Sequence, residues 1–162
     1  MSVHAANADA ARERSRVEGD EYVTVMVADQ IFGLPIGSVH DVFVAGTVTR
    51  VPLAQREIVG LINLRGHVIT ALCLRRRLGL PEPAARREIA VGLEHQGEFY
   101  GLFVDRVGEV MRIAADAREP NPVHMDPHWA SLSRGVHRLD RQLLIILDVD
   151  AVLALEAPSR AA

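Results

Sequence analysis

The sequence predicts an all-β protein: two small barrels, short helical turns between strands, and a helix near the C-terminus. Three observations lead there. Apolar residues alternate with a period of two in several short segments. The same order of segments occurs twice along the chain. Hydrophobic residues make up 49% of it but aromatics only 4%, so the core must be built from Val, Leu, Ile and Ala.

The ordered part starts near Glu21. In YVTVMV, Val23, Val25 and Val27 fall on one face of a strand. ADQ offers a turn and IFGLPI the return strand. SVHDVFVAG continues as a short helix or bent strand, and a single helical turn is expected after Pro52. GLINLRGHVITALCL reads as two apolar strands around a turn at Arg65 and Gly66, where Gly66 supplies the positive φ that a tight turn needs. RRRLGLPEPAARR reads as a helical turn ending at Gly79, then a Pro-rich connection.

The order then repeats. Ile89, Val91 and Leu93 share a face, HQGE is a turn, and FYGLFV is the return strand. A displacement of 68 positions lays Val23 on Val91, Phe32–Ile36 on Tyr100–Val104, and Val39, Asp41 and Val42 on Val107, Glu109 and Val110. A displacement of 75 lays Gly60 on Gly135 and Leu64 on Leu139. The longer displacement fits a longer loop in the second half, ADAREPNPVHMDPHWASLS, in which Trp129 is read as a lid over a barrel end. The repeats run roughly over 21–80 and 88–156, between a flexible tail at 1–20 and a flexible end at 157–162. A unit of about 60 residues buries only about 60% of its unfolded surface. The two units should therefore pack face to face on a shared core. DVDAVLALEA reads as the closing helix, with Asp148 or Asp150 as its cap.

Composition and motifs exclude much chemistry. The net charge is −3, which gives no bulk attraction to nucleic acid, and all 18 basic residues are arginine. Cys73 is the only cysteine, so no internal disulfide can form; its apolar neighbours make it a buried small hydrophobe. The first 20 residues lack the apolar centre of a signal peptide, and no apolar run approaches the roughly 20 residues that span a bilayer. A cytoplasmic protein is expected. His124 and His128 bracket Asp126 at a spacing that a helix could use for zinc, but Pro127 inside the motif argues for a solvated loop. No phosphate loop, nucleophile elbow or dinucleotide fingerprint occurs. No catalytic residue, cofactor or metal is expected; the chain reads as an interaction module.

Four blocks then carry a family resemblance: F-G-L-P-I followed by VHDV, VGLINLRGHVI, FYGLFVDRVGEV and LLIILDVDAVL, in that order. Together, over about Glu21 to Leu155, they resemble the CheW-like family of chemotaxis coupling proteins. Three positions depart from the family pattern. Thr70 stands where a Pro is usual after NLRG, Cys73 where an Asp closes the next strand, and Asp41 where Glu is commoner.

The resemblance implies two intertwined SH3-like barrels and a non-enzymatic adaptor recruited to membrane receptor arrays. Its partners would be the helical hairpin tip of a chemoreceptor and the regulatory domain of the chemotaxis histidine kinase, without nucleic acid and without membrane insertion. The positions matching the family's receptor groove are Val39, Val107 and Val110, with Asp41, Asn63 and Arg65 near it. Arg65 could pair with Asp41 and hold the groove wall, or offer donors to the receptor tip. Kinase contact is expected at strand ends and turns of a barrel. The alternatives are the same adaptor role in a pathway with an output other than motility, a small barrel that binds nucleic acid, and a metal-dependent enzyme at His124, Asp126 and His128.

Overall fold

Three hairpins are closed by two-residue turns whose central residues both have positive φ: Ala28–Asp29, Arg65–Gly66 and Gln96–Gly97. Such turns match the right-handed twist of the flanking strands. In the computed structural model, which describes residues 20–82 and 88–155, they join β1 (Asp20–Val27) to β2 (Gln30–Pro35), β5 (Ile58–Leu64) to β6 (His67–Cys73), and β7 (Ile89–His95) to β8 (Glu98–Phe103). The remaining strands are β3 (Val39–Val44), β4 (Val48–Thr49), β9 (Arg106–Ile113), β10 (Arg118–Glu119), β11 (Ser133–Arg138) and β12 (Leu143–Leu147). Short helices α1 (Leu74–Arg77), α2 (Pro127–Ser131) and α3 (Val149–Leu153) complete the fold.

The strands form two six-stranded sheets, ordered β10-β11-β12-β2-β1-β9 and β3-β7-β8-β6-β5-β4. Each makes one small barrel, A and B respectively. Displacing the first repeat onto the second maps one order onto the other strand for strand. Yet each sheet takes two strands from one repeat and four from the other. The stretches 21–80 and 88–156 are therefore the duplicated units but not the barrels, which corrects the division expected from sequence. The exchange happens at the chain crossovers. After β2 in barrel A, the short 3-10 turn Ile36–Ser38 leads to β3 in barrel B, and β9 returns the chain after β8. The swap is completed by parallel pairing, Ile145 beside Phe32 and Thr70 beside Tyr100.

The alternation explains the core. Val25, Val27, Val91 and Leu93 belong to one buried cluster between the sheets, shared by both repeats. Each barrel also has its own interior: Tyr22, Ile113, Leu144 and Ile146 in A, and Ile62, Ile69, Ala71, Ala90 and Phe103 in B. Gly60 and Gly135, equivalent in the repeats, sit at equivalent bulges with φ of 156° and 137°.

Local details sort the remaining expectations. α1 ends at Gly79, whose φ of 74° lets the Leu80 amide donate to the Arg75 carbonyl at 2.8 Å. Asp148 caps α3, accepting from the Ala151 amide at 3.3 Å. VHDVFV is the strand β3, and the segment after Pro52 is a turn rather than a helical turn. The HMDPH segment is a correction too. Pro127 does not prevent a helix but begins α2, where its missing N–H costs nothing, and Asp126 accepts from the amides of His128 and Trp129. Trp129 lies with its ring tilted 52° to that of Phe32 at a centroid distance of 5.7 Å, donates to the Leu78 carbonyl at 2.9 Å, and packs on the central cluster as a lid. Cys73 is buried. The expected flexible stretches at 1–20 and 157–162 lie outside the described residues except for Asp20.

Candidate functional site

A bulge divides the residues that sequence placed together. In β3, Val39 pairs with Leu93 and Asp41 with Gly92, leaving His40 as the extra residue. Val39 and Asp41, two positions apart, therefore point to opposite faces. Val39 leans on the shared core with Leu93, and Asp41 faces the barrel B side. The matching bulge in β9 pairs Val107 with Val25 and Val110 with Val23. Val107 and Val110, three positions apart, thus share the inter-sheet face.

The inter-sheet face carries the apolar part of the site. Val39 and Val107 are partly buried against the central cluster. Beside them, at the unpaired edges of their sheets, Val110 is 51% exposed and Val42 is 47% exposed. Val42 was missed by the sequence reading of the site, although the repeat equates it with Val110. Its cross-strand partner, the buried Val91, is what assigns it to this face. Two valines with apolar faces in water, each next to a half-buried valine, thus stand at equivalent edges of the two sheets.

The charged part lies elsewhere, at the mouth of barrel B. Asp41, Phe43, Leu64, Arg65, Ile69 and Phe99 are among the residues lining a pocket of about 280 Å³. Gly92 lies beneath it, and a Cβ there would displace the Asp41 carboxylate from its place over the glycine. Asp41 and Arg65 line one pocket, but among the described residues neither has an ion pair or side-chain hydrogen bond. The expected Asp41–Arg65 pair is thus not formed, because the bulge directs Asp41 over Gly92. Asn63 is exposed and accepts from the Gly66 amide at 3.1 Å, which fixes the Arg65–Gly66 turn. Arg65 takes φ of 52° in that turn.

The strongest electrostatic contact supports the crossover. Asp105, in the β8–β9 turn, accepts two hydrogen bonds from Arg75 at 2.9 and 2.6 Å and one from the Ala28 amide at 2.9 Å. The hydrogen bonds from Arg75, with that from Ala28, hold the Asp105 carboxyl below its usual range against the opposing effect of burial. Tyr100 donates to Glu98 at 2.8 Å, and this bond with partial burial raises its phenol. Among the described residues no group of three or more His, Cys, Asp and Glu is placed to hold a metal ion. His124 and His128 are both exposed, and His128 Nε2 lies 2.6 Å from the Arg77 carbonyl oxygen. No helix among them is long and apolar enough to cross a membrane.

Comparison with known proteins agrees with this architecture. A family model described as the CheW-like domain matches residues 21–157. A probable chemotaxis protein CheW of Rhizobium etli is 28% identical over 152 residues, covering 92% of this chain and 97% of that protein. The chemotaxis protein CheW of Rhizobium meliloti is 29% identical over 140 residues, covering 85% and 90%. The crystal structure of the scaffolding protein TtCheW from Thermoanaerobacter tengcongensis superposes with a TM-score of 0.74 at 28% identity, covering 85% of this chain and 94% of that one. With a family match over nearly the whole described chain and the same paired barrels, this protein belongs to the CheW-like family of chemotaxis scaffold proteins.

Proposed function

We propose that the chain is a non-catalytic adaptor that joins a chemoreceptor's helical signalling tip to the regulatory domain of a chemotaxis histidine kinase, and is thereby recruited to membrane-bound receptor arrays. The observation that carries the receptor half is the pair of apolar sheet edges, Val39 with Val42 and Val107 with Val110. A helical hairpin offers apolar side chains at i, i+3, i+4 and i+7, which suit an apolar groove. Exposed valines at the groove edge supply specific area, and their β-branched side chains lose little rotamer freedom when covered. Asp41, Asn63 and Arg65 would meet the polar flank of the tip and set its register rather than its affinity. Binding alone is the output, so the rate of phosphate transfer changes in the kinase and no step occurs on this chain.

Altering one edge tests the reading. Val110→Arg, at an exposed edge, should leave folding intact and weaken capture of a receptor signalling hairpin by about tenfold or more, from lost apolar contact and a buried unpaired charge. Capture of the kinase regulatory domain should be unchanged, and receptor-dependent kinase activation in the three-component mixture should fall with the receptor affinity. Receptor capture unchanged in both Val110→Arg and Val42→Arg would remove the groove from consideration.

A further inference from the structure

The pocket of barrel B has a distinctive charge pattern. Asp41 and Arg65 carry the only fixed charges among the described residues that line it. Asp41 is half-buried, with its carboxylate over Gly92. Arg65 stands on the two-residue turn that Asn63 fixes through the Gly66 amide. Opposite charges sharing one pocket would ordinarily pair. These do not, and among the described residues neither side chain has another ion pair or hydrogen bond. The pocket thus offers a negative pole, a positive pole and no net charge.

Its floor is apolar. Phe43 and Ile69 meet over Gly101, where an added Cβ would lie 3.2 and 3.5 Å from their side chains, and Leu64 completes the lining beside them. At the entrance Phe99 is 41% exposed, and the His40 ring meets it edge-on at 5.3 Å. Tyr100 commits its hydroxyl to Glu98 and so presents its ring. The volume, about 280 Å³, lies just below the roughly 300–1,000 Å³ typical of ligand pockets, which restricts an occupant to a small molecule.

We propose that this pocket binds a free apolar α-amino acid. The ammonium group meets Asp41, the carboxylate meets Arg65, and the side chain covers Phe43, Leu64 and Ile69 beneath Phe99. A simple cation would face Arg65 and a simple anion would face Asp41, whereas a zwitterion satisfies both poles. The floor has no side-chain hydrogen-bonding group, so it selects an apolar side chain. For a ligand of about a dozen non-hydrogen atoms, the dissociation constant should lie at roughly 10 µM to 1 mM. The bound amino acid takes up the two charges assigned above to the receptor tip. It should therefore weaken receptor capture, a consequence that rests on the proposed function; the binding itself does not.

Heteronuclear NMR of the whole protein tests the binding without receptor or kinase. L-phenylalanine and L-leucine are each titrated to about 10 mM, above the expected dissociation constant. At least one should give saturable shifts at the amides of Phe43, Arg65, Gly92 and Phe99. Glycine, which lacks the apolar part, should bind about tenfold more weakly or less. The N-acetyl and C-amide derivatives of the better binder each lack one charge, and each should lose about tenfold or more. Asp41→Asn and Arg65→Gln should keep the amide pattern of the folded protein and lose the same factor. No saturable shift with either amino acid would overturn the inference. So would shifts centred outside the pocket, unchanged binding in both variants, or equal binding of both derivatives. Each of these outcomes leaves receptor capture at the valine edges untouched, so the two readings fail separately.

Discussion

Barrels A and B share a strand order but not an interior. Where A places Tyr22, Ile146 and Thr24, B places Ala90, Ala71 and Gly92, and Phe43 and Phe103 recover part of that volume opposite Met111 and Pro35. A pocket lined in part by Phe43 and Gly92 opens at the mouth of B. The loops differ as well. The short β4–β5 loop of B presents Leu53 to solvent, whereas the longer β10–β11 loop of A folds back through α2 and packs Trp129 on the central cluster. The backbone of a duplicated unit is held by its turns, bulges and shared core. Its barrel ends are free to diverge, and one scaffold thereby acquires several unlike faces.

The sharpest way to test the equivalence is at the bulge glycines, where the barrels should respond alike. At Gly60 a Cβ would overlap the Thr49 carbonyl oxygen, and at Gly135 it would come within 2.7 Å of the Glu119 carbonyl oxygen. Both oxygens are backbone and cannot move cheaply, and both φ values are positive. Gly60→Ala and Gly135→Ala should each lose about 3 kcal/mol or more in urea denaturation, combining backbone strain with overlap. A loss at one site only would mean that one barrel tolerates slippage of its edge strand and that the symmetry is superficial.

The next contrast is between Asp105 and its counterpart in the first repeat, which is Gly37. Only one crossover thus has an Arg75–Asp105 clasp. Asp105→Asn should cost about 1–2 kcal/mol at neutral pH, since the pair is charged but partly exposed. The sign of the pH dependence follows from the depressed folded-state carboxyl. Its contribution is present above the unfolded value near 4 and is lost as pH falls through the folded value. The stability gap between wild type and variant should therefore be constant from pH 7 to about pH 5 and narrow below about pH 4. A gap that persists unchanged at pH 2.5 would place the stabilisation in packing rather than in the ionised pair.

Much of this was legible in the chain because it is local. Turn chemistry marked the hairpins, period-two patterns marked Val25, Val27, Val91 and Leu93 as core, and two displacements revealed the duplication. What escaped depends on long-range pairing. No local signal says that β1 and β2 join β12 rather than β6, since the crossover decides it. The bulge at His40 adds one residue and so sends Val39 and Asp41 to different faces, which split the six expected groove residues. Val42 was hidden for a related reason: edge exposure belongs to the sheet, not to the strand. At Pro127 the residue was read as a breaker when its position at a helix start made it permissive.

The smallest contrast is at the helix caps, where the departure at Cys73 can be weighed against its counterpart. Asp148 caps α3 through its carboxylate, while Cys73 stands at the same place before α1 with no side-chain cap bond. α1 is held instead from beyond itself, because Arg77 donates to the carbonyls of Val152 and Ala151 at 3.0 and 2.9 Å and ties the two helices together. Asp148→Ala should therefore cost about 1 kcal/mol in urea denaturation, the usual loss of a cap. Cys73→Asp would restore a cap but bury a carboxylate in place of a buried thiol. Its net effect should fall within about 1 kcal/mol of zero. A gain as large as the Asp148 loss would mean that α1 is limited by its missing cap. A loss of several kcal/mol would mean that the cysteine is retained for the space it fills.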